Sequence, residues 1–321
     1  MNRTINGLLP FLAALLLLSA CANQTTSTLT QDVSPEFPPF TSGTGKLTFA
    51  VQAEAKDQFE IYTLNLEDGT QEKLTDNDVA DIAPSWSPDG SEIVYASAVE
   101  KFYNLYRIKT DGSEPSLIFA FSADCTEPEW EPQQSGGNKI AYQSNGNGDF
   151  DIYLFDLLTN SSSVITKSDS QETQASWSPN GKQIAYVSNA DGDFEIYIMD
   201  ADGGNPVQLT KNASYESNPA WSPDGRQIAF ISKRDPDPHF QLFVMNADGT
   251  GESQLTGEGF TSHTPAWSPD GLHLAFIGDT PAGSRILVID MATKEITQVA
   301  SSFYNYAGIS WVENKELPSP N

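Results

Sequence analysis

Evenly spaced tryptophans restrict the fold of this chain more than any other feature of its sequence. Successive tryptophans among the 321 residues lie 44, 47, 44, 46 and 44 residues apart. The six are Trp86, Trp130, Trp177, Trp221, Trp267 and Trp311. An internal period of roughly 40–50 residues is typical of propellers and solenoids. We therefore expect one structural unit that is repeated about or along an axis.

A tight turn follows most of these tryptophans. Four repeats read Trp-Ser-Pro-Asp-Gly or Trp-Ser-Pro-Asn-Gly, and they begin at Trp86, Trp177, Trp221 and Trp267. Proline presets φ at a turn, while glycine and asparagine tolerate the positive φ that such turns require. Each tryptophan is therefore expected to end a strand that reverses direction at once.

The rest of the repeat predicts three more strands. An alternating segment such as 228–230 follows the turn, and after a polar loop comes a strand such as 194–199, in which polar and apolar residues alternate. Asp-Gly turns, for example at 202–203, then lead to a fourth strand such as 208–210. Four strands per unit is the blade of a β-propeller. The predicted fold class is all-β, a six-bladed β-propeller with four strands per blade.

The two ends of the repeat region predict how the ring closes. The first unit begins at Lys46 with its second strand, and the strand around Trp311 is followed only by a polar tail. We expect the C-terminal strand to complete the N-terminal blade, because closure removes the sheet edges that an open array would expose.

The repeat resembles that of the TolB-type propellers. The resemblance rests on Trp-Ser-Pro-Asp-Gly, on Ile-Ala-Phe, and on Met-x-Ala-Asp-Gly followed by Gln-Leu-Thr, and residues 221–256 carry nearly the whole pattern. It covers roughly residues 45 to 312. TolB itself has an α/β domain before its propeller, and this chain is expected to lack one. The resemblance implies the fold more strongly than a function, since propellers serve many roles.

The N-terminus predicts export and lipidation. Arg3 precedes an apolar run from Leu8 to Leu18, which is shorter than the ~20 residues of a membrane-spanning helix. The segment Leu18-Ser19-Ala20-Cys21 resembles the lipobox of bacterial lipoproteins, which implies cleavage before Cys21 and a lipid on its thiol. The alternative is an ordinary secretory signal. The predicted organisation is a signal peptide at 1–20, a flexible tether at 21–44, the propeller at 45–313 and a polar tail at 314–321.

Charge and cysteine content limit the kinds of binding partner and the covalent links that this chain can have. The formal net charge of -26 disfavours nucleic acid and anionic lipid surfaces, which are polyanions, and leaves cations, basic proteins and neutral sugars. Cys125 is the one cysteine besides Cys21, so lipidation of Cys21 would leave it without a disulfide partner. The chain is expected to be a monomer in the bacterial cell envelope, anchored to the outer face of the cytoplasmic membrane or to the outer membrane.

Candidate binding residues come from positions that differ between repeats, because repeated residues are expected to serve the fold. Aligning the units on their tryptophans places six such positions near one mouth of the central channel. These are Asp81, Glu127, Glu172, Glu216, His263 and Tyr306. Such a ring could accept Lys or Arg from a partner, or hold Ca²⁺ through oxygen ligands. The alternative is that strand ends near water are simply polar.

Metal and catalytic signals are weaker. Two polar loops contain the candidate metal ligands Asp149, Asp191 and Asp193, yet they lack the twelve-residue pattern of an EF-hand, and Asp-Gly is also ordinary hairpin chemistry. No nucleophile elbow, zinc motif or phosphate-binding glycine loop occurs in the sequence. No cofactor is predicted, with Ca²⁺ left open. Carboxylates near Cys125 disfavour a reactive thiolate there.

These observations favour a non-catalytic module that binds a protein or peptide at one face of the propeller and is anchored to a membrane through Cys21. The alternative is an enzyme, or a carbohydrate-binding accessory protein, that uses the channel. In that case Asp81, Glu172, Glu216 and His263 would serve as acid, base or metal ligands. Loss of turnover on replacing His263 would favour the enzyme.

Overall fold

The computed structural model describes residues 40, 44–52, 58–99, 101–234, 237–257, 259–302 and 305–313. The predicted signal peptide, Cys21, the polar tail and nearly all of the predicted tether lie outside these residues. Within the described residues, no helix is long and apolar enough to cross a membrane. The regular helical structure described is one 3-10 turn at Gln133–Ser135.

Each blade is built from four strands, which we name by their position in the sheet. The inner strands are β4 (Asp81–Trp86), β8 (Cys125–Trp130), β12 (Glu172–Trp177), β16 (Tyr215–Trp221), β20 (Thr261–Trp267) and β24 (Tyr306–Val312). The second strands are β1 (Lys46–Gln52), β5 (Glu92–Ser97), β9 (Lys139–Ser144), β13 (Gln183–Ser188), β17 (Gln227–Lys233) and β21 (His273–Thr280). The third strands are β2 (Phe59–Asn65), β6 (Asn104–Lys109), β10 (Asp151–Asp156), β14 (Glu195–Asp200), β18 (Gln241–Asn246) and β22 (Gly283–Asp290). The outer strands are β3 (Gln71–Lys73), β7 (Ser116–Leu117), β11 (Ser161–Val164), β15 (Val207–Gln208), β19 (Ser253–Gln254) and β23 (Ile296–Ser302).

Six four-stranded antiparallel sheets confirm the predicted fold class. Five sheets use four strands that are consecutive in the chain, and the remaining sheet has the order β24-β1-β2-β3. Trp311 of β24 lies opposite Leu47 of β1, so the C-terminal strand completes the N-terminal blade as predicted. Each inner strand also contacts the inner strands of the two adjacent blades, and these contacts form a closed series around one axis.

The turn after each tryptophan explains why its sequence repeats. In the turn after Trp221, the Ser222 Oγ accepts a hydrogen bond from the Gln227 N–H and donates one to Asp224. The Asp224 carboxylate in turn accepts the N–H of Arg226, and Gly225 has a φ of 71°. Serine, aspartate and glycine therefore each serve one function in the turn.

The core lies between the blades. One cluster of buried side chains joins Leu242 and Val244 of β18 to Trp267 and Phe276 in the next blade. Another joins Leu47 and Phe49 of β1 to Ile277 and Ile286 of the blade before it, across the closure. Burial of this apolar surface holds the sheets face to face and so fixes the positions of the inner strands around the axis.

Candidate functional site

A backbone bulge interrupts every inner strand at the same position. The residue three places before each tryptophan has a positive φ, between 42° and 61°. These six residues, which we call the bulge ring, are Ala83, Glu127, Gln174, Asn218, Thr264 and Gly308. The pairing of each inner strand with its neighbour shifts register at this point. A bulge adds one residue and redirects its side chain.

Proline follows the bulge in four blades. Pro84, Pro128, Pro219 and Pro265 occupy the position directly after the bulge residue. An inner strand has a sheet partner on one side only, and proline, which lacks an N–H, is compatible with the unpaired side of such an edge strand. These prolines also prevent the axial edges from pairing with one another.

Beyond the bulge ring, an open cavity of about 610 Å³ lies on the axis. The bulge ring, the tryptophans and the residues between them line it. Since the tryptophans end the inner strands, the cavity opens on the face that carries the Trp-Ser-Pro turns, which we call the Trp face. The opposite side, where the second and third strands connect, is the loop face.

The bulge ring is polar on one side and small on the other. Glu127, Gln174, Asn218 and Thr264 are consecutive around the axis, and we call them the polar arc; Gly308 and Ala83 complete the ring with almost no side chain. Hydrogen bonds from backbone N–H groups to side chains hold the arc in place: the Gln174 N–H donates to the Gln143 side-chain oxygen, and the Asn218 N–H donates to the Gln174 side-chain oxygen.

Several hydrogen-bonding atoms of the polar arc have no partner in the part of the chain that the structure describes. None of the hydrogen bonds among the described residues uses the Glu127 carboxylate or the Gln174 amide nitrogen. The Thr264 hydroxyl is buried and likewise has no partner among those residues. Gln174 is nine-tenths buried. Buried polar groups are normally satisfied, so the arc presents hydrogen-bonding capacity that the protein itself does not use.

Burial changes the acidity of two glutamates that line this cavity. Desolvation raises the pKa of Glu127 to about 7. Desolvation also raises the pKa of Glu129 to about 8, although its carboxylate accepts hydrogen bonds from the Trp177 N–H and the Ser176 hydroxyl. Both groups therefore exchange protons near neutral pH, which is the range needed for acid–base chemistry or proton-linked binding.

Three of the predicted site residues lie between blades toward the loop face instead of lining the cavity. Asp81, Glu172 and Glu216 begin or nearly begin their inner strands and are at most 3% exposed. Asp81 accepts a hydrogen bond from Asn77, and Glu172 accepts hydrogen bonds from Ser168 and Ser188.

A second acidic side chain accompanies Glu216 at its blade interface. Glu216 accepts hydrogen bonds from Asn212 and Ser232, while the Asn212 N–H donates to Glu195, which is also fully buried. Each of these two glutamates has one carboxylate oxygen that is buried without a partner among the described residues. Burial first, and the adjacent Glu195 second, raise the pKa of Glu216.

The other two predicted residues are also near the loop face. His263 is partly exposed, and its Nε2 lies 3.1 Å from an Asp279 carboxylate oxygen. Tyr306 is buried, and its ring packs edge-on against Phe49. Of the six predicted residues, the structure therefore places only Glu127 at the cavity. Cys125 is buried, and burial raises the pKa of its thiol to about 11, so it is not a nucleophile at neutral pH.

The candidate metal ligands lie apart from the cavity. Asp149, Asp191 and Asp193 are exposed in loops at the loop face, and Asp191 accepts a hydrogen bond from Gln208. Within the described residues, no group of three histidine, cysteine or acidic side chains is arranged to hold a metal ion. Calcium binding at these loops stays a prediction.

The six residues selected from the sequence do not include Glu129, nor Gln174, Asn218 and Thr264, which share the third position before tryptophan with Glu127. Strand alternation does not reveal a bulge, and the extra residue is what turns the third position before tryptophan toward the axis. One signal was present in the sequence: that position contains Asn218 and Gly308, the residue types that best tolerate positive φ.

Comparison with known proteins identifies relatives of this fold. A family model, the TolB beta propeller domain, matches residues 97–315. A curated relative, an uncharacterized protein Atu1656 of Agrobacterium fabrum, is 29% identical over 103 residues, which is 32% of each chain. The match thus spans about a third of that relative. TolB from Acinetobacter baumannii has a similar structure, with a TM-score of 0.72 and 19% identity over 83% of this chain and 66% of that one.

Other solved structures share the fold. A protein assigned as TolB from Agrobacterium tumefaciens has a TM-score of 0.65 and 21% identity, over 84% of this chain and 99% of that one. A chain of a nidogen–laminin complex has a TM-score of 0.65 and 14% identity, over 83% and 98%. An oligogalacturonate lyase in complex with manganese has a TM-score of 0.54 and 17% identity, over 82% and 75%. At these identities the likeness concerns the fold alone.

Proposed function

The chain belongs to the TolB beta propeller domain family, and on that premise we propose that it is a non-catalytic binding module whose axial cavity receives an extended segment of a protein or peptide. A closed ring of blades is a rigid scaffold, and its open cavity is the concave feature in which a ligand loses most contact with water. Family membership establishes the fold, and the binding role rests on the cavity.

The single observation that carries this proposal is the polar arc. An extended peptide brings unpaired backbone N–H and C=O groups into any site it enters, and these groups must be satisfied there. Glu127, the Gln174 amide and the Thr264 hydroxyl offer acceptors and donors that have no partner among the described residues. On the opposite side of the ring Gly308 packs closely against Ala83, since a Cβ at Gly308 would lie 2.9 Å from the Ala83 Cα.

Selection of peptides tests this function. Random peptides displayed on phage would be selected on the wild-type protein and then measured against two double variants. Gln174→Ala with Thr264→Ala removes hydrogen bonds from the polar arc, and Asp149→Ala with Asp193→Ala changes the loop face to the same extent. We expect the arc variant to weaken the selected peptides at least about tenfold and the loop variant to leave them unchanged. Equal binding to both variants would refute a cavity role.

We further propose that the protein is held at the bacterial cell envelope by a lipid on Cys21, either at the outer face of the cytoplasmic membrane or at the outer membrane. The support is the short apolar run that ends in Leu18-Ser19-Ala20-Cys21. Cys21→Ser is expected to release the protein from washed membranes, while Ser19→Ala should leave it attached. Equal membrane association of both variants would argue against lipidation.

A second candidate function is an enzyme, or a sugar-binding accessory protein, that uses the same cavity. It is favoured by the pKa values of Glu127 and Glu129, which burial raises to about 7 and about 8 and so places in the range of general acids and bases. The discriminating measurement is turnover of an oligosaccharide panel by the wild type and by Glu129→Gln. Turnover that Glu129→Gln abolishes would favour the enzyme; no turnover by either protein favours the binding module.

A further inference from the structure

The cavity has a one-sided charge. Glu127, Glu129 and Glu313 line it, and its described lining contains no lysine, arginine or histidine. The chain as a whole has a formal net charge of -26, so the surrounding field has the same sign. Low-dielectric walls lined by one sign of charge concentrate ions of the opposite sign.

Glu127 differs from the buried carboxylates because it lacks hydrogen-bond partners among the described residues. Glu60 accepts a hydrogen bond from Thr75, and Glu172 and Glu216 accept theirs from serine or asparagine side chains. The Glu127 carboxylate accepts none among the described residues, and desolvation is the one cause of its raised pKa. A positive charge or a hydrogen-bond donor brought to this position stabilises the anion of Glu127.

Resting on the function proposed above, we infer that Glu127 anchors the cationic side chain, lysine or arginine, of an extended peptide segment in the axial cavity. Glu129, two residues further along the same strand, supplies a second carboxyl group to the cavity lining. An ammonium or guanidinium group gives Glu127 the charge-assisted hydrogen bonds that the protein does not provide.

Gln174 provides an independent reason to expect a peptide and not a free cation. Its side chain is nine-tenths buried at the cavity, and its amide oxygen is already used by the Asn218 N–H. The amide nitrogen has no acceptor among the described residues. It can donate to an oxygen brought by the ligand, such as a peptide carbonyl beside the cationic side chain.

Binding of a cation at this position is coupled to release of a proton. The other titratable groups that line the cavity are Glu129 on the same strand as Glu127 and Glu313 after β24, and the described lining from β4, β12, β16 and β20 adds none. Without ligand, the pKa of Glu127 is raised to about 7, so the carboxyl group is about half protonated at neutral pH. A bound cation favours the anion, and the proton leaves to solvent.

The experiment uses two blocked pentapeptides that differ only in charge: acetyl-Gly-Gly-Lys-Gly-Gly-amide and the same peptide with norleucine in place of lysine. All six tryptophans line the cavity, so their indole N–H signals report binding in a nuclear magnetic resonance titration. We expect the lysine peptide to bind more tightly, and its affinity to rise about tenfold from about pH 6 to about pH 8, because the ionised fraction of a group with a pKa of about 7 rises by that factor.

Variants decide which carboxylate is responsible. Glu127→Gln is expected to lower the affinity for the lysine peptide at least about tenfold and to leave only the pH dependence that comes from Glu129. Glu127→Asn is a second variant, since asparagine tolerates the positive φ at this position. Glu67→Gln removes the same charge from an exposed site outside the cavity and should bind as the wild type does.

Different failures remain distinguishable. Equal affinity for the lysine and norleucine peptides, or unchanged binding by both Glu127 variants with native thermal unfolding, would overturn the cationic anchor and leave the peptide-binding function standing. If, in addition, phage-selected peptides bind the polar-arc variant as tightly as the wild type, the proposed peptide-binding function is wrong as well. Selected peptides that lack lysine and arginine but need the polar arc would overturn only the anchor.

Discussion

Acidic residues occupy two contrasting environments in this molecule. In the turns after the tryptophans, hydrogen bonds from Ser222 and from the Arg226 N–H lower the pKa of Asp224, so its anion supports the fold. Between blades, burial instead raises the pKa of Asp81, Glu172 and Glu216. The turn aspartates stabilise the folded state when the pH is above the ordinary pKa of a carboxyl group. The carboxyl groups between blades stabilise it when the pH is below that value.

Glu216→Gln tests this contrast. The pKa of Glu216 is raised from 4.5 to about 8 in the folded protein, so its contribution to stability is complete below about pH 4.5 and is lost as the pH rises through about 8. Glutamine stays neutral, so we expect the variant to gain at least about 1 kcal/mol over the wild type between pH 5 and pH 9. Urea unfolding at both pH values measures this gain; a Glu67→Gln control corrects for the general loss of charge. Parallel pH profiles of variant and wild type would contradict the account.

Among the structural elements, the turn after each tryptophan depends on its backbone more than on its contacts. Gly225 has a φ of 71°, and a Cβ there would lie 3.3 Å from Pro179 Cγ of the preceding blade. Gly257 is a matched glycine in an exposed loop, where an added Cβ meets no atom within 4 Å. The two positions separate a conformational need for glycine from mere tolerance of it.

We predict that Gly225→Ala lowers the free energy of unfolding by about 1 kcal/mol, because alanine is strained at positive φ. Gly257→Ala should be neutral or slightly stabilising, since it restricts the unfolded chain without strain in the folded one. Denaturant unfolding of both variants measures the difference. An equal effect of the two substitutions would show that the turn does not require glycine.

The elements also show why the blades could be predicted and the cavity could not. The turn that contains Ser222 and Gly225 after Trp221 is held by local hydrogen bonds. The same residue types are therefore repeated in the sequence wherever this turn occurs. The bulge at Glu127 and Gln174 depends on how two strands pair with each other. Glutamate and glutamine rarely adopt a positive φ, so their presence in the sequence does not predict a bulge. Variation between repeats therefore pointed also to the fifth position before tryptophan, occupied by Glu172 and Glu216, which the structure buries between blades.

Across the whole molecule, closure of the ring unites the two ends of the described fold. β24 pairs with β1, and Tyr306 and Ile309 pack with Leu47 and Phe49 in one core cluster. Further contacts tie the same seam, including a hydrogen bond from the Trp311 indole N–H to the Thr44 carbonyl. Closure leaves no inner strand without a neighbour in the ring.

Truncation tests the closure. Removing residues 306–321 deletes β24 and is expected to cost at least about 3 kcal/mol of unfolding free energy, because it exposes Leu47 and Phe49 and leaves β1 as an open edge. Removing only residues 314–321 preserves every strand of the sheet and should leave the thermal midpoint unchanged. A similar thermal midpoint for both truncated proteins would mean that closure contributes little.

For the molecule as a whole, we propose that ligands enter the cavity from the Trp face. Hydrogen-exchange mass spectrometry with a phage-selected peptide tests this most directly. We predict that the peptide slows exchange at the Trp-face ends of the inner strands, around residues 127–130, 174–177 and 218–221, and leaves the loops at 145–149 and 189–193 unaffected. Slower exchange confined to those loops would place the binding surface on the opposite face and contradict the account.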